Sequence, residues 1–219
     1  MHVDDNNVLT ENNITVPNLA FDLNISTQNV RSLNISTKNI ITDQKILAVV
    51  GLCSDIIFLS DLRLNSLKQS VACKDITKCF QLLGYKFIHN SPHSNRGVGI
   101  LIKKQAMEKI HILNTVRDLE GNHILIDIDY KSTRYTLGSV YGANTNDGID
   151  MYNVLRNDIL QLKNTKIILG GDWNCVWDRS AVDVNLDVIN MVNVPSLQRS
   201  NKVHEMCTVL NLTDPYRIF

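Results

Sequence analysis

The chain has 219 residues, of which 44% are hydrophobic and 20% charged, a composition that suits one globular domain and excludes a low-complexity chain. Lys plus Arg and Asp plus Glu number 22 each, so no overall positive charge draws the protein onto nucleic acid. A bound polyanion would therefore have to be held by a local group of residues.

The cysteines and the hydropathy pattern restrict the class of protein further. Five cysteines without paired CxxC spacing indicate reduced thiols in an intracellular protein, and argue against a disulfide framework or a zinc site. No apolar run reaches transmembrane length and the polar N-terminus resembles no signal peptide, so we expect no association with a membrane.

The N-terminal quarter changes from a polar tail to alternating structure. Residues 1–19 are rich in Asn and Asp, and we expect a flexible tail there, followed by one domain over residues 20–219. Phe21–Ser26 alternates apolar and polar residues, which predicts a half-buried strand leading to Asn29. Residues 23–42 hold a ten-residue near-repeat in two copies, which are too few for a solenoid.

The middle of the chain predicts helices followed by a strand meander. Spacing of apolar residues predicts a helix over residues 40–53, a buried strand over residues 55–60, and a helix that begins at Asp75 as its cap and ends at Gly84. Alternation then predicts successive strands, which are 85–89, 97–102, 109–116, 124–130 and 135–141.

The last third predicts a helix, a strand and a final helix. An amphipathic helix over residues 151–162 leads to a strand over residues 167–171, and Ser196 is a candidate cap for the last helix. Helix and strand pairs on both sides of a meander predict two packed, mostly antiparallel β-sheets flanked by helices, which is a four-layer α/β sandwich.

One stretch, Lys166-Ile-Ile-Leu-Gly-Gly-Asp-Trp-Asn174, carries the strongest indication of chemistry. A short apolar strand ends at two glycines, and Asp172 and Asn174 follow at a spacing of two, which points both side chains the same way in an extended backbone. A carboxylate and an amide would then lie at the carboxyl end of a strand, where α/β proteins place chemistry. The alternative is an ordinary β-turn, because Gly, Asp and Asn are frequent turn residues.

Polar residues follow the other predicted strands as well. Asn29, Asp61 and Tyr141 each stand at a strand end, although each has an ordinary alternative as a turn residue, a cap or a core aromatic. Together with Asp172 and Asn174 they make a set that could converge from separate strands. Carboxylate and amide oxygens suit Mg²⁺, while amides and a phenol can donate to phosphate oxygens.

Several short motifs, which include the strand ends described above, resemble those of the endonuclease/exonuclease/phosphatase superfamily. They are most similar to the apurinic-endonuclease-like domain of non-LTR (LINE-type) retrotransposons. The resemblance runs from about residue 22 to the end of the chain. It is carried by blocks in the family's order, which are Thr27–Asn34, Ile57–Leu64, Gly97–Ile102, Ser139–Asn144 and Gly171–Asn174, followed by Asp178–Ser180 and Asp214–Arg217.

The resemblance implies a role for each matching residue. Asp61 would hold Mg²⁺ (or Mn²⁺) and Asn29 would assist at the metal or the phosphate. Tyr141 would bind the scissile phosphate, Asp172 would orient the attacking water and Asn174 would stabilise the phosphate charge. The further substrate-binding residues that the resemblance implies are Asn144, Arg179 and Arg217.

The sequence departs from the family pattern at three points. Asp61 stands where the family has Glu, and Ala143 where it has Pro. Family members also continue into strands with a terminal Ser-Asp-His, and none of the six histidines here has that setting. We therefore expect the last strands and the catalytic His to be missing, with a bare edge on the strand near Leu23–Ile25, poor solubility and impaired activity.

Taken together, the sequence predicts a Mg²⁺-dependent DNA-nicking endonuclease domain of a non-LTR retrotransposon. DNA is the expected substrate, a reverse transcriptase domain a possible partner in the full-length element, and the nucleus the compartment if the target is genomic DNA. Two alternatives stay open. One is a phosphomonoesterase of the same superfamily, similar to an inositol phosphatase, and the other is a non-catalytic remnant or binding module that keeps the fold.

Overall fold

The structure is a computed structural model that describes residues 22–33, 35, 40–66, 71–142, 149–175 and 197–214. The predicted N-terminal tail, residues 1–19, lies outside the described residues. Within them, no helix is both long enough and apolar enough to cross a membrane.

Strands and helices follow one another largely in the predicted order. In chain order they are β1 Ile25–Asn29, a 3₁₀ turn at Ile40–Thr42, α1 Gln44–Gly51, β2 Ile56–Ser60, α2 Val71–Leu82, β3 Tyr85–Asn90, β4 Val98–Lys103, α3 Lys104–Met107, β5 Ile110–Arg117, β6 His123–Tyr130, β7 Thr133–Tyr141, α4 Ile149–Leu162, β8 Ile167–Asp172 and α5 Leu197–Leu210.

The strands form two four-stranded sheets, with the orders β1-β2-β4-β3 and β5-β6-β7-β8. The pairs β1–β2 and β7–β8 are parallel, and the other neighbours are antiparallel. Among the described residues β1 has a single strand partner, β2, and so forms one edge of its sheet, as predicted for this strand.

The inner core is an aliphatic layer between the two sheets. Ile56 and Phe58 of the first sheet face Ile124, Ile126 and Ile128 of the second, and all five are buried. Alternate positions of a strand point to opposite faces of a sheet, so the isoleucines two residues apart on β6 all reach the same layer. The Ser139 hydroxyl adds a polar link between the sheets by donating to the Leu59 carbonyl at 2.8 Å.

Helices cover the outer face of each sheet and complete four layers. Ile57 and Leu59 point away from the inner core and pack with Ile46 of α1 and Phe80 of α2. On the second sheet Leu125 and Val140 pack with α4 and α5, which contribute Leu155, Ile159, Val203 and Met206. The predicted architecture, two packed, mostly antiparallel sheets flanked by helices, is confirmed, and each sheet includes one parallel pair.

Two helix boundaries differ from the prediction. The segment over residues 40–53 divides into a 3₁₀ turn and α1, because the Asp43 carboxylate accepts the Lys45 N–H at 2.8 Å and caps a new helix. Helix α2 begins by Val71, so Asp75 lies inside it and does not cap it. The short helix α3 was not predicted, since four residues are too few to show a helical period.

The two glycines before Asp172 fit the fold at close quarters. A Cβ on Gly170 would lie 2.5 Å from Cδ2 of Phe58 in the facing sheet. Gly171 has φ +143°, and a Cβ there would lie 1.9 Å from the carbonyl oxygen of Val140 on β7. The first glycine therefore makes room for the inner core, and the second lets β8 pass β7 in a conformation that side chains rarely adopt.

We predict that Gly171→Ala lowers the free energy of unfolding by about 2–4 kcal/mol, since it adds backbone strain to a steric clash with main-chain atoms. Urea unfolding followed by circular dichroism measures this. Gly51→Ala is the matched control, because nothing lies within 4 Å of a Cβ at the end of α1. Equal effects of the two substitutions would contradict the assignment.

Candidate active site

The topology brings the ends of four strands to one region. In the parallel pair β1–β2, Asn29 is the register partner of Ser60, so Asp61 follows directly beside it. In the parallel pair β7–β8, Tyr141 is the register partner of Asp172. Parallel neighbours end at the same edge of a sheet, and the packing of the two sheets brings these two edges together.

A hydrogen bond joins the two sheets at this point. Asn29 Nδ2 donates to Asp172 Oδ2 at 2.6 Å, across 143 positions of sequence. The other amide atom, Asn29 Oδ1, accepts the Arg31 N–H at 3.0 Å, which sets the orientation of the amide. Asp172 Oδ1 accepts the Asn174 N–H at 3.1 Å. Both oxygens of Asp172 are thus oriented by amide donors.

Asp61 is held by an arginine two residues later. Arg63 Nε donates to Asp61 Oδ1 at 2.7 Å, and Arg63 Nη2 donates to Asp61 Oδ2 at 2.8 Å. The Asp61 side chain is 4% exposed, whereas that of Arg63 is 45% exposed. Hydrogen bonding to Asp61, and then its charge, raise the pKa of the Arg63 guanidinium. The charge of the buried Asp61 carboxylate is therefore neutralised by Arg63, which is partly exposed to solvent.

The hydroxyl of Tyr141 is influenced by the charges of both carboxylates. Burial raises the pKa of its hydroxyl, and the charges of Asp61 and Asp172 raise it further, while Arg63 and a hydrogen bond with Asn174 act in the opposite direction. The net shift is upward from a value near 10. The hydroxyl consequently stays protonated at neutral pH and remains a hydrogen-bond donor.

Asn174 is fixed by the turn that follows β8. Its Nδ2 donates to the Gly142 carbonyl, its φ is +47°, and it bonds to Tyr141 as well. The neighbouring Trp173 carbonyl accepts the Tyr152 hydroxyl at 2.8 Å, which anchors the turn to α4. The geometry therefore gives Asn174 direct contact with Tyr141.

The structure brings together five residues that the sequence singled out, Asn29, Asp61, Tyr141, Asp172 and Asn174. The roles assigned to them stay predictions. Asn144, Arg179 and Arg217, predicted to bind substrate, lie outside the described residues. The sequence reasoning missed Arg63, although it stands two positions after Asp61 inside the block Ile57–Leu64. That spacing of two was the available signal.

The donor chemistry of these residues suits a hard cation. Within the described parts of the chain, no group of three or more His, Cys, Asp or Glu is arranged to hold a metal ion. Mg²⁺ typically needs only one or two carboxylates and completes its shell with water and substrate phosphate. Asp61 could supply one such carboxylate, and in this structure Arg63 engages both of its oxygens.

No protein-family model matches the sequence, and a search of curated proteins gives no significant match. Solved structures do match the fold. The 3′-5′ exonuclease NExo from Neisseria meningitidis aligns with a TM-score of 0.57 and 16% identity, over 90% of this chain and 74% of that one. An AP endonuclease from Archaeoglobus fulgidus aligns with a TM-score of 0.56 and 13% identity, over 85% and 70%.

A third solved structure is the 3′ phosphatase NExo from Neisseria bound to a product DNA hairpin, with a TM-score of 0.51 and 15% identity, over 84% of this chain and 71% of that one. At 13–16% identity the likeness shows the fold alone, and this chain shares the fold of these nucleases and of the 3′ phosphatase.

Proposed function

We propose that this protein is a metal-dependent phosphodiesterase that nicks DNA. The observation that supports this most directly is the hydrogen bond from Asn29 to Asp172, which unites the ends of two sheets and orients a carboxylate beside Asp61 and Tyr141. A fold shared with nucleases gives this arrangement its chemical context.

Asp172 is the residue that we expect to orient the attacking water. Each carboxylate oxygen has one amide donor, from Asn29 and from the Asn174 N–H, which leaves lone pairs on both oxygens for a water molecule. Because those amides fix the plane of the carboxylate, a water bonded to it can be aligned with the phosphorus before attack.

Tyr141 and Asn174 are the expected ligands of the phosphate. The protonated hydroxyl of Tyr141 can donate to a non-bridging phosphate oxygen, and Asn174 holds that hydroxyl in place. Tyr141 ends β7 and Asn174 is fixed in the turn after β8, so little reorganisation accompanies the build-up of negative charge on the phosphate.

Asp61 is the expected ligand of a divalent cation, Mg²⁺ or Mn²⁺. Such a cation, when bound, neutralises charge on the phosphate and on the leaving oxygen. Asp61 has one methylene fewer than the Glu found in the family, so we expect water molecules to share the coordination of the ion.

We propose DNA as the substrate because one solved structure with this fold holds a DNA hairpin and another is described as an AP endonuclease. Origin in a non-LTR retrotransposon, with a reverse transcriptase domain as partner and a nuclear site of action, belongs to the same proposal. Release of a 3′ phosphate from DNA is a second candidate, favoured by the description of that hairpin complex.

We predict that the protein converts supercoiled plasmid to the nicked form with Mg²⁺, and that Asp172→Asn reduces the rate by about 10²-fold or more, since the water loses its negatively charged acceptor. Gel electrophoresis over time measures both rates. Asp75→Asn is the control, because Asp75 is an exposed residue on α2.

The outcomes of this assay separate the alternatives. Nicking that depends on Asp172 supports the proposal, and release of phosphate from a 3′-phosphorylated hairpin without nicking would replace it with the second candidate. Release of phosphate from a soluble inositol phosphate would favour the phosphomonoesterase alternative. If a protein shown to be folded catalyses none of these reactions, it is a non-catalytic binding module.

We predict that Tyr141→Phe lowers the single-turnover nicking rate by about 10²-fold, as expected for removal of one hydrogen-bond donor to the phosphate. Because the pKa of the Tyr141 hydroxyl is raised, the hydroxyl keeps its proton at neutral pH and stops acting as a donor only above that pKa. The ratio of the two rates should stay constant between about pH 7 and about pH 9. A ratio that falls towards one across this range would contradict the assigned role.

A further inference from the structure

Arg63 forms an ion pair with Asp61, the carboxylate that the proposed function assigns to a metal ion. Both oxygens of Asp61 are engaged by the guanidinium, Oδ1 by Nε at 2.7 Å and Oδ2 by Nη2 at 2.8 Å. A divalent cation needs lone pairs of the same carboxylate. The two cations therefore compete for one ligand, provided that Asp61 is the metal ligand.

A second buried carboxylate, Asp127, provides a comparison, because its ion pair with Arg134 lies outside the site. Asp127 is 2% exposed and pairs with Arg134, which is 54% exposed, so burial and exposure match those of Asp61 and Arg63. Asp127 Oδ1, however, also accepts Asn164 Nδ2 at 2.8 Å. The Asp127 carboxylate thus has a partner besides arginine, and it lies in the middle of β6, away from the strand ends of the site.

We propose that Arg63 acts as an internal cation that occupies Asp61 in the metal-free protein and is displaced when a divalent ion binds. The inference rests on the proposed function, and adds to it a residue that controls metal affinity. A carboxylate as buried as Asp61 needs a positive partner in every state, and the guanidinium supplies it until the metal does.

The position of Arg63 makes displacement feasible. Nearly half of its side chain is in contact with solvent, and its backbone has φ +56° in the loop after β2, so the guanidinium can leave without disturbing the core. The released group would still be next to Tyr141, whose hydroxyl contributes to the raised pKa of Arg63. A guanidinium fork fits two oxygens of a phosphate. Displacement would therefore transfer Arg63 from Asp61 to the substrate.

The test measures Mn²⁺ binding in the absence of DNA, by electron paramagnetic resonance of free Mn²⁺ and by isothermal titration calorimetry. Full-length Arg63→Gln should bind Mn²⁺ about tenfold more tightly than the wild type, because hydrogen bonds to a charged group shift an equilibrium by at least that factor. Arg63→Lys, which keeps the charge without the two-point contact, should lie between them.

The matched control is Arg134→Gln, which should leave Mn²⁺ affinity unchanged. Asp61→Asn, alone or combined with Arg63→Gln, should abolish the binding. Circular dichroism shows whether each variant is folded, and if Arg63→Gln is not, Arg63→Lys carries the comparison with the wild type.

Equal or weaker Mn²⁺ binding in the Arg63 variants would overturn the inference, and so would the absence of binding in both the wild type and those variants. The nicking assay is read separately. If Mn²⁺ affinity changes as expected but no DNA is cut under any condition, the proposed hydrolysis fails while the displacement of Arg63 stands.

Discussion

The aliphatic layer between the two sheets determines where the polar groups of the site lie. Ile56 and Phe58 pack against Ile124, Ile126 and Ile128, and this contact fixes the distance and angle between the sheets. The last residues of β1 and β8 can form a hydrogen bond only because the strands before them are held by this layer. Protein interiors are closely packed, so a change of volume at Phe58, which contacts Gly170, would be felt at the site.

The two carboxylates of the site have different kinds of hydrogen-bond partner. Asp61 is compensated by Arg63, while Asp172 receives neutral amide donors from Asn29 and Asn174. The two carboxylates therefore suit different roles. Asp61 is paired with a positive charge that a divalent cation can replace, whereas Asp172 is oriented by neutral donors and keeps its negative charge. Asp61, which is buried, could not be so at reasonable cost without its partner.

Several loops around the site have a strained backbone. Arg31, Asp61, Arg63 and Asn174 all have positive φ, and each lies in a loop that follows β1, β2 or β8; residues away from the site, such as Lys131, have positive φ as well. Such a conformation costs about 1–3 kcal/mol per residue and persists only where surrounding contacts require it. Main-chain hydrogen bonds between the loops are such contacts, among them the Ser32 N–H to the Asp61 carbonyl at 2.7 Å. The strained residues of the site are therefore held by bonds between the loops after β1 and β2.

Sequence patterns alone were sufficient to predict most of the strands and helices and most residues of the site. Alternation on β6 and β7 and the apolar runs of β2 and β8 indicated strands, because side-chain direction in a strand has a period of two, and the residues after them were the polar candidates. What these candidates contact depends on how the two sheets pack. The bond between Asn29 and Asp172 joins residues on different sheets, and the pairing of Arg63 with Asp61 forms in a loop where both residues have positive φ. Neither follows from periodicity, since both arise where packed sheets and strained loops meet.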